Sequence, residues 1–194
     1  MGQNEVTPLG SVVEAVHSID MDLFRAFDDY VAGFLTGNDE SYTRNIALKA
    51  EHSKRVYREI HSLGEELNLD EGELLLADVM GLYHDIGRFE QYREYRTFHD
   101  GRSEDHAALG VRILNAEGML TQLDPPGRDL VLTAIRLHNK PDLPSDLPRR
   151  ELWFTHLLRD ADKLDIWRVV TEYYDDEEDE RNSSLELDLP DTPE

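Results

Sequence analysis

His84 and Asp85 stand side by side in the apolar run GLYHDIGRFEQ. Burying an imidazole and a carboxylate together is unfavourable unless something binds both, and a divalent metal ion is the natural candidate. His52, and Asp162 within RDADKLD, likewise lie on or beside apolar helical faces. Brought together, the four would offer two imidazoles and two carboxylates, an N/O set that suits Mn, Fe, Co, Ni or Zn and leaves positions open for water. Adjacent helical residues point about 100° apart, so both members of the dyad reach one ion only at a helix end or a local distortion. Gly87 puts them near such an end. His52 taken alone reads equally well as a partly buried helix histidine; the specificity lies in the set of four.

Arg55 follows His52 by three residues and Arg88 follows His84 by four, spacings that place each pair on one helical face. Guanidinium forks match phosphate oxygens, so both arginines are candidate substrate clamps, with a salt bridge to one of the many acids as the plain alternative. Lys163 beside Asp162 could neutralise a leaving group or simply face acids. His99 lies in an arginine-bearing stretch where it could meet substrate or solvent. His17, His61 and His156 have ordinary helical settings.

The elements that must position these groups are helical. Apolar residues recur at helical spacing from Val12 through Leu35, as one helix or two, and no segment shows convincing β alternation. Ser41 is the expected cap of a helix through His52 to Leu67, with Asn68 near its end, and Asp70 precedes a helix that runs to the dyad. Residues 88–104 read as a long loop or broken helix. Asp105 is placed to cap a helix carrying His106 and stopped by Gly118, and Pro125, Pro126 and Gly127 precede one ending at His138. After three further prolines, residues 152–170 form the last helix. No internal repeat is apparent.

At 194 residues the chain suits one domain, expected over residues 1–174, with an acidic extension at 175–194. The net charge of −22 excludes nonspecific binding to nucleic acid or an anionic membrane, which requires a basic surface. Residues 175–194 hold ten acids and one base, leaving the body near −13. A small anionic substrate remains compatible where metal and arginines reverse the local field. The acidic extension reads as solvated chain, although Leu185, Leu187 and Leu189 could dock on a partner. With no cysteine, metal ligands must be His, Asp or Glu, and the absence of a signal peptide or long apolar run suggests a cytoplasmic protein.

His52, the run His84-Asp85-Ile86-Gly87, and Asp162 in an Ala-Asp-Lys context together resemble the HD superfamily of metal-dependent phosphohydrolases. The resemblance covers residues from about 50 to 170. It implies an all-α, HD-domain-like helical bundle with His52, His84, Asp85 and Asp162 as ligands to a divalent transition metal. Asp162 fits the family's Ala-Asp-basic pattern better than the neighbouring Asp160 or Asp165, which are assigned to ion pairs or supporting contacts. His106 and His138 match positions where some members carry extra ligands. They imply either two ions about 3.5 to 4 Å apart bridged by Asp85, or one ion with these histidines contacting phosphate or water.

The stretch RFEQYREYRTFHDGRSEDHAALG also resembles a subset of uncharacterised HD proteins, placing Gln91, Asp100 and Ser103 near the pocket rim. The implied activity is hydrolysis of a phosphate ester of a nucleotide or other small phosphorylated metabolite, with Asp85 and Arg88 as catalytic residues and Arg55, Arg88, Gln91, His99 and Lys163 toward substrate. Arg88-Phe89-Glu90 replaces the acidic pair of alarmone hydrolases, and no Gly-Tyr-Pro tripeptide marks the cyclic-dinucleotide branch. Alternatives are a noncatalytic metal-bound or ligand-sensing module and, less favoured, a di-iron oxygenase. A homo-oligomer is compatible with the sequence.

Overall fold

A computed structural model describes the backbone of residues 9–36 and 39–175 and the side chains of residues 21–36 and 39–168. Beyond the backbone of Asp175, the acidic extension and its leucines at 185, 187 and 189 lie outside the described residues, as do the side chains of Val12 and His17. Among the described residues seven α-helices follow one another: α1 Leu9–Leu35, α2 Glu40–Glu66, α3 Glu71–Tyr83, α4 Gly87–Tyr95, α5 His106–Ala116, α6 Pro125–Leu137 and α7 Arg149–Asp175. A 3-10 turn at Asp100–Arg102 lies between α4 and α5, and no strand occurs among the described residues. The fold is the expected all-α bundle.

Short polar side chains set where the helices begin. Asp70, Asp105 and Asp124 accept hydrogen bonds from the first-turn amides of α3, α5 and α6, which otherwise lack intrahelical partners. Asp39 does the same for α2 by accepting from the Tyr42 amide at 2.8 Å, so the cap is Asp39 and not Ser41. The extended backbone of Asp39 lets its carboxylate turn back on the helix, whereas Ser41 is already inside it. The stretch 88–104 is a broken helix: α4 ends with Arg96 in the left-handed region at φ 55°, and the 3-10 turn follows.

Apolar faces bring the helices together. Phe27 and Phe34 of α1 meet Phe89 of α4, while the Tyr83 hydroxyl donates to the Leu23 carbonyl at 2.9 Å. Gly81 lets α3 approach α2 closely, since a Cβ there would lie 2.6 Å from Ile60 Cγ2 and 2.9 Å from the Tyr57 Cα. No described helix is long and apolar enough to cross a membrane.

The helix pairs α2/α3 and α5/α6 place three matching residues at one offset, although the sequence shows no internal repeat. His52 and His106, Asp70 and Asp124, and His84 and His138 are each separated by 54 residues. The two aspartates cap helices of 13 residues each, and the last two histidines stand at the C-caps of those helices. Few other residues match across this offset: between Glu51/Asp105 and Asp85/Asn139 the pairs are mostly dissimilar. Helix periodicity alone therefore does not expose the correspondence.

Candidate metal centre

The dyad stands where α3 ends. His84 is its C-cap, Asp85 and Ile86 form the turn, and Gly87 opens α4. Here the backbone tightens into turns, with the Ile86 amide donating to the Tyr83 carbonyl and the Arg88 amide to the Asp85 carbonyl, and the dyad faces α2 and α7, which bring in His52 and Asp162. The Nε2 atoms of His52 and His84 are 3.2 Å apart. Asp162 Oδ1 lies 3.2 Å from His52 Nε2 and 3.7 Å from His84 Nε2. Asp85 Oδ2 lies 3.6 and 3.8 Å from the same two nitrogens.

A second histidine pair faces the other oxygen of Asp85. His106 Nε2 and His138 Nε2 are 3.1 Å apart and lie 3.3 and 3.8 Å from Asp85 Oδ1. One carboxylate thus separates two nitrogen pairs. Asn139 occupies the place after His138 that Asp85 occupies after His84, but its amide donates to Asp100 and Asp105 at 3.0 and 2.9 Å. The shared carboxylate therefore comes from one helix pair only.

The outward nitrogens show which way the rings are committed. His52 Nδ1 is 2.7 Å from Asp165 Oδ2, His84 Nδ1 is 2.8 Å from the Gly81 carbonyl, His106 Nδ1 is 2.7 Å from Asp100 Oδ2, and His138 Nδ1 is 2.7 Å from the Ile135 carbonyl. A carbonyl or carboxylate oxygen accepts, so each Nδ1 carries the hydrogen and a neutral ring presents a bare Nε2 lone pair inward. Lone pairs facing at about 3 Å do not satisfy one another; a cation between them would. Outward N–H groups fixed by carboxylate or carbonyl partners are the usual support of metal-binding histidines. The donor set therefore fits a divalent metal: His52, His84 and Asp85 group around one position and Asp85, His106 and His138 around another, while Asp162 groups with His84 and His138 and also lies 3.2 Å from His52 Nε2. A further grouping of Asp100, Asp105 and His106 differs, because Asn139 and Lys140 already occupy its carboxylates.

The electrostatics follow from burial and neighbours. Burial pushes His106 and His138 down to about 4 despite their acidic neighbours, and lowers His84 as well. Burial also opposes charge on His52, but hydrogen bonds to Asp162 and Asp165 raise it overall. Against the burial of Asp85, Lys49 acts with His84, Arg88 and His106 to hold the carboxyl well below its usual range. The carboxyls of Asp162 and Asp165 are also lowered, by His52 and, for Asp165, by Arg55 and Arg168.

Asp160 is exposed, whereas Asp162 faces the histidines and Asp165 supports His52 from behind. Arg55 differs from the phosphate clamp expected of it: its Nε and one terminal nitrogen donate to Asp165 at 2.7 and 3.0 Å. The fully buried Gln91 amide donates to Asp100, Ser103 and the Glu104 carbonyl, so it stitches the α4–α5 connection together and does not rim a pocket. Arg88 lies against Asp85, with Nε 3.4 Å from Oδ1, and donates to Gln91, Asp100 and the Phe98 carbonyl. His99 and Lys163 are exposed.

Lys49 was not anticipated. Its ammonium donates to Asp85 Oδ2 at 3.1 Å and sits over the Phe98 ring. Its position three residues before His52, on the same helical face, was the available signal. Asn139 also escaped notice, though its place after His138 mirrors that of Asp85.

The family model described as HD domain matches residues 50–181. No curated protein and no solved structure matches the chain.

Proposed function

The chain belongs to the HD-domain family, and from that premise we propose that it is a metal-dependent phosphohydrolase acting on a phosphate ester of a nucleotide or other small phosphorylated metabolite. The observation that carries the reading is Asp85, whose two oxygens face two separate pairs of inward imidazole nitrogens. HD domains bind divalent metals, and an N/O donor set of this kind suits Mn, Fe, Co, Ni or Zn. When bound, such a metal acidifies a coordinated water and offsets charge on phosphoryl oxygens.

The protein's own residues supply the rest. Asp165 and Asp100 hold two of the rings in the tautomer that presents Nε2 inward. Lys49 and Arg88 flank the Asp85 carboxylate on opposite oxygens, concentrating positive charge in a chain whose net charge is −22. With a divalent metal bound, these cations would help offset the site's carboxylates, which an anionic ester needs in order to approach. Lys163 and His99, both exposed, are proposed to face substrate.

The test is phosphate release from a panel of nucleotides and sugar phosphates, using chelator-stripped protein reloaded with Mn or Ni. At least one ester should turn over only with metal, and Asp85→Ala should reduce that turnover by more than about 100-fold, beyond what loss of an outer-layer partner does. Tight metal binding with no turnover of any phosphoester would overturn the hydrolase reading in favour of a metal-bound sensing module.

A further inference from the structure

The two histidine pairs are supported from different parts of the chain. On one side His52 leans on Asp165 of α7, a carboxylate with no exposure that is gripped by Arg55 and Arg168. On the other side His106 leans on Asp100, which belongs to the 3-10 turn between α4 and α5. Asp100 also accepts from Arg88 at 2.9 Å, Gln91 at 2.8 Å and Asn139 at 3.0 Å. One carboxylate therefore joins α4, the start of α5 and the residue that follows His138.

We propose that Asp100 is the positioning residue of the His106 and His138 half of the centre, fixing the His106 ring and coupling occupancy of that half to the α4–α5 connection. This rests on the metal-centre reading above. The geometry favours positioning over direct ligation. Both Asp100 oxygens already receive donors, and the nitrogen of His106 that faces Asp100 is Nδ1, while Nε2 faces Asp85. The coupling runs through Arg88, which donates to Asp100 and to the Phe98 carbonyl and lies beside Asp85. Metal at His106 would thus draw on the same side chain that holds the Phe98 carbonyl and Asp100. Asp165 is the matching support for the other half, with no link to that connection among its described partners.

The experiment is a Mn(II) titration of the chelator-stripped full chain, with bound metal quantified and the exchange-coupled Mn pair followed by electron paramagnetic resonance. The wild type should bind two ions and show the coupled signal. Asp100→Asn should keep one ion at wild-type affinity and weaken the other by about 10- to 100-fold, the effect typical of losing a supporting partner, with the coupled signal lost at limiting metal. Asp165→Asn should also weaken one ion, but without increasing protease cleavage within residues 96–102, whereas Asp100→Asn should increase it. In case a variant does not fold, nitrogen NMR of the wild-type histidine rings reads the same assignment: neutral His106 must carry its hydrogen on Nδ1.

A wild type that binds no ion refutes the metal-centre reading and this proposal with it. A wild type that binds two ions while Asp100→Asn weakens neither, or both equally, overturns the role of Asp100 alone. So does His106 carrying its hydrogen on Nε2, or a wild type that binds a single ion.

Discussion

Replacing Gly87 by alanine should open the centre from behind. Gly87 follows the dyad and opens α4, where the chain crosses the backbone of α5. A Cβ at this position would lie 2.1 Å from the His106 carbonyl oxygen and 2.7 Å from the Gly110 amide nitrogen. Both are backbone atoms of a helix, so no side-chain rotation relieves the contact. Real Cβ atoms essentially never approach within 3.0 Å, so the crossing must widen by about 1 Å, a displacement that interlocked packing resists. The cost should fall at the upper end of overpacking, about 2 to 3 kcal/mol. The same shift would stretch the 3.3 Å separation of Asp85 Oδ1 and His106 Nε2, because Gly87 moves with Asp85 while His106 moves with α5. If the proposed hydrolase activity holds, misplacement of that size would lower it by about 100-fold. Urea unfolding and metal stoichiometry read the two effects. Gly72→Ala is the control: its nearest atom would be Asp70 Oδ1 at 3.4 Å, and removing the glycine should stabilise by up to about 1 kcal/mol. A Gly87→Ala protein that matches the control in stability and binds metal as the wild type does would refute the packing argument.

The metal-free chain should lose stability as pH falls from 7.5 to 5.5. Burial lowers His106 and His138 from 6.5 to about 4 in the folded state, so the unfolded chain binds more protons between those values. Their contribution is complete above 6.5 and declines toward 4, by about 1 to 3 kcal/mol for the pair at pH 5.5. His52, raised in the folded state, opposes part of this decline. Urea midpoints measured in chelator at the two pH values check the sign, and a flat or rising profile toward acid contradicts it. Asp162→Asn should weaken metal binding by at least about 10-fold, whereas Asp160→Asn, at an exposed position, should leave it unchanged. Metal titration of both variants decides between neighbouring acids, and the reverse ranking would move the ligand to Asp160.

The helical architecture was legible because periodicity and capping are local. Asp70 and Asp105 announced helix starts through short carboxylates that reach nearby amides. The cap of α2 lies two residues before Ser41: Ser41 and Asp39 are both good caps by type, and only the extended backbone at Asp39 distinguishes them. Residues 88–104 lacked a sustained period because α4 uses an aromatic face against α1 and a polar network beneath it, so neither face forms an uninterrupted stripe.

The chemical types in the centre follow from composition: without cysteine, its inward donors are imidazoles and carboxylates. The dyad, His52 and Asp162 stood out because each is a polar group against an apolar helical pattern, a contradiction visible locally. How those groups divide their work depends on what packs against each of them. Arg55 and Arg88 have equally suggestive spacings, yet one grips Asp165 and the other lies beside Asp85, because helix spacing gives a residue's face but not what packs opposite it. Lys49 acquires its place through contact with Asp85 across 36 positions of chain. The opposition of two histidine pairs across one carboxylate likewise depends on the break after α3 and on the crossing of α4 over α5, distances that no run of neighbouring residues encodes.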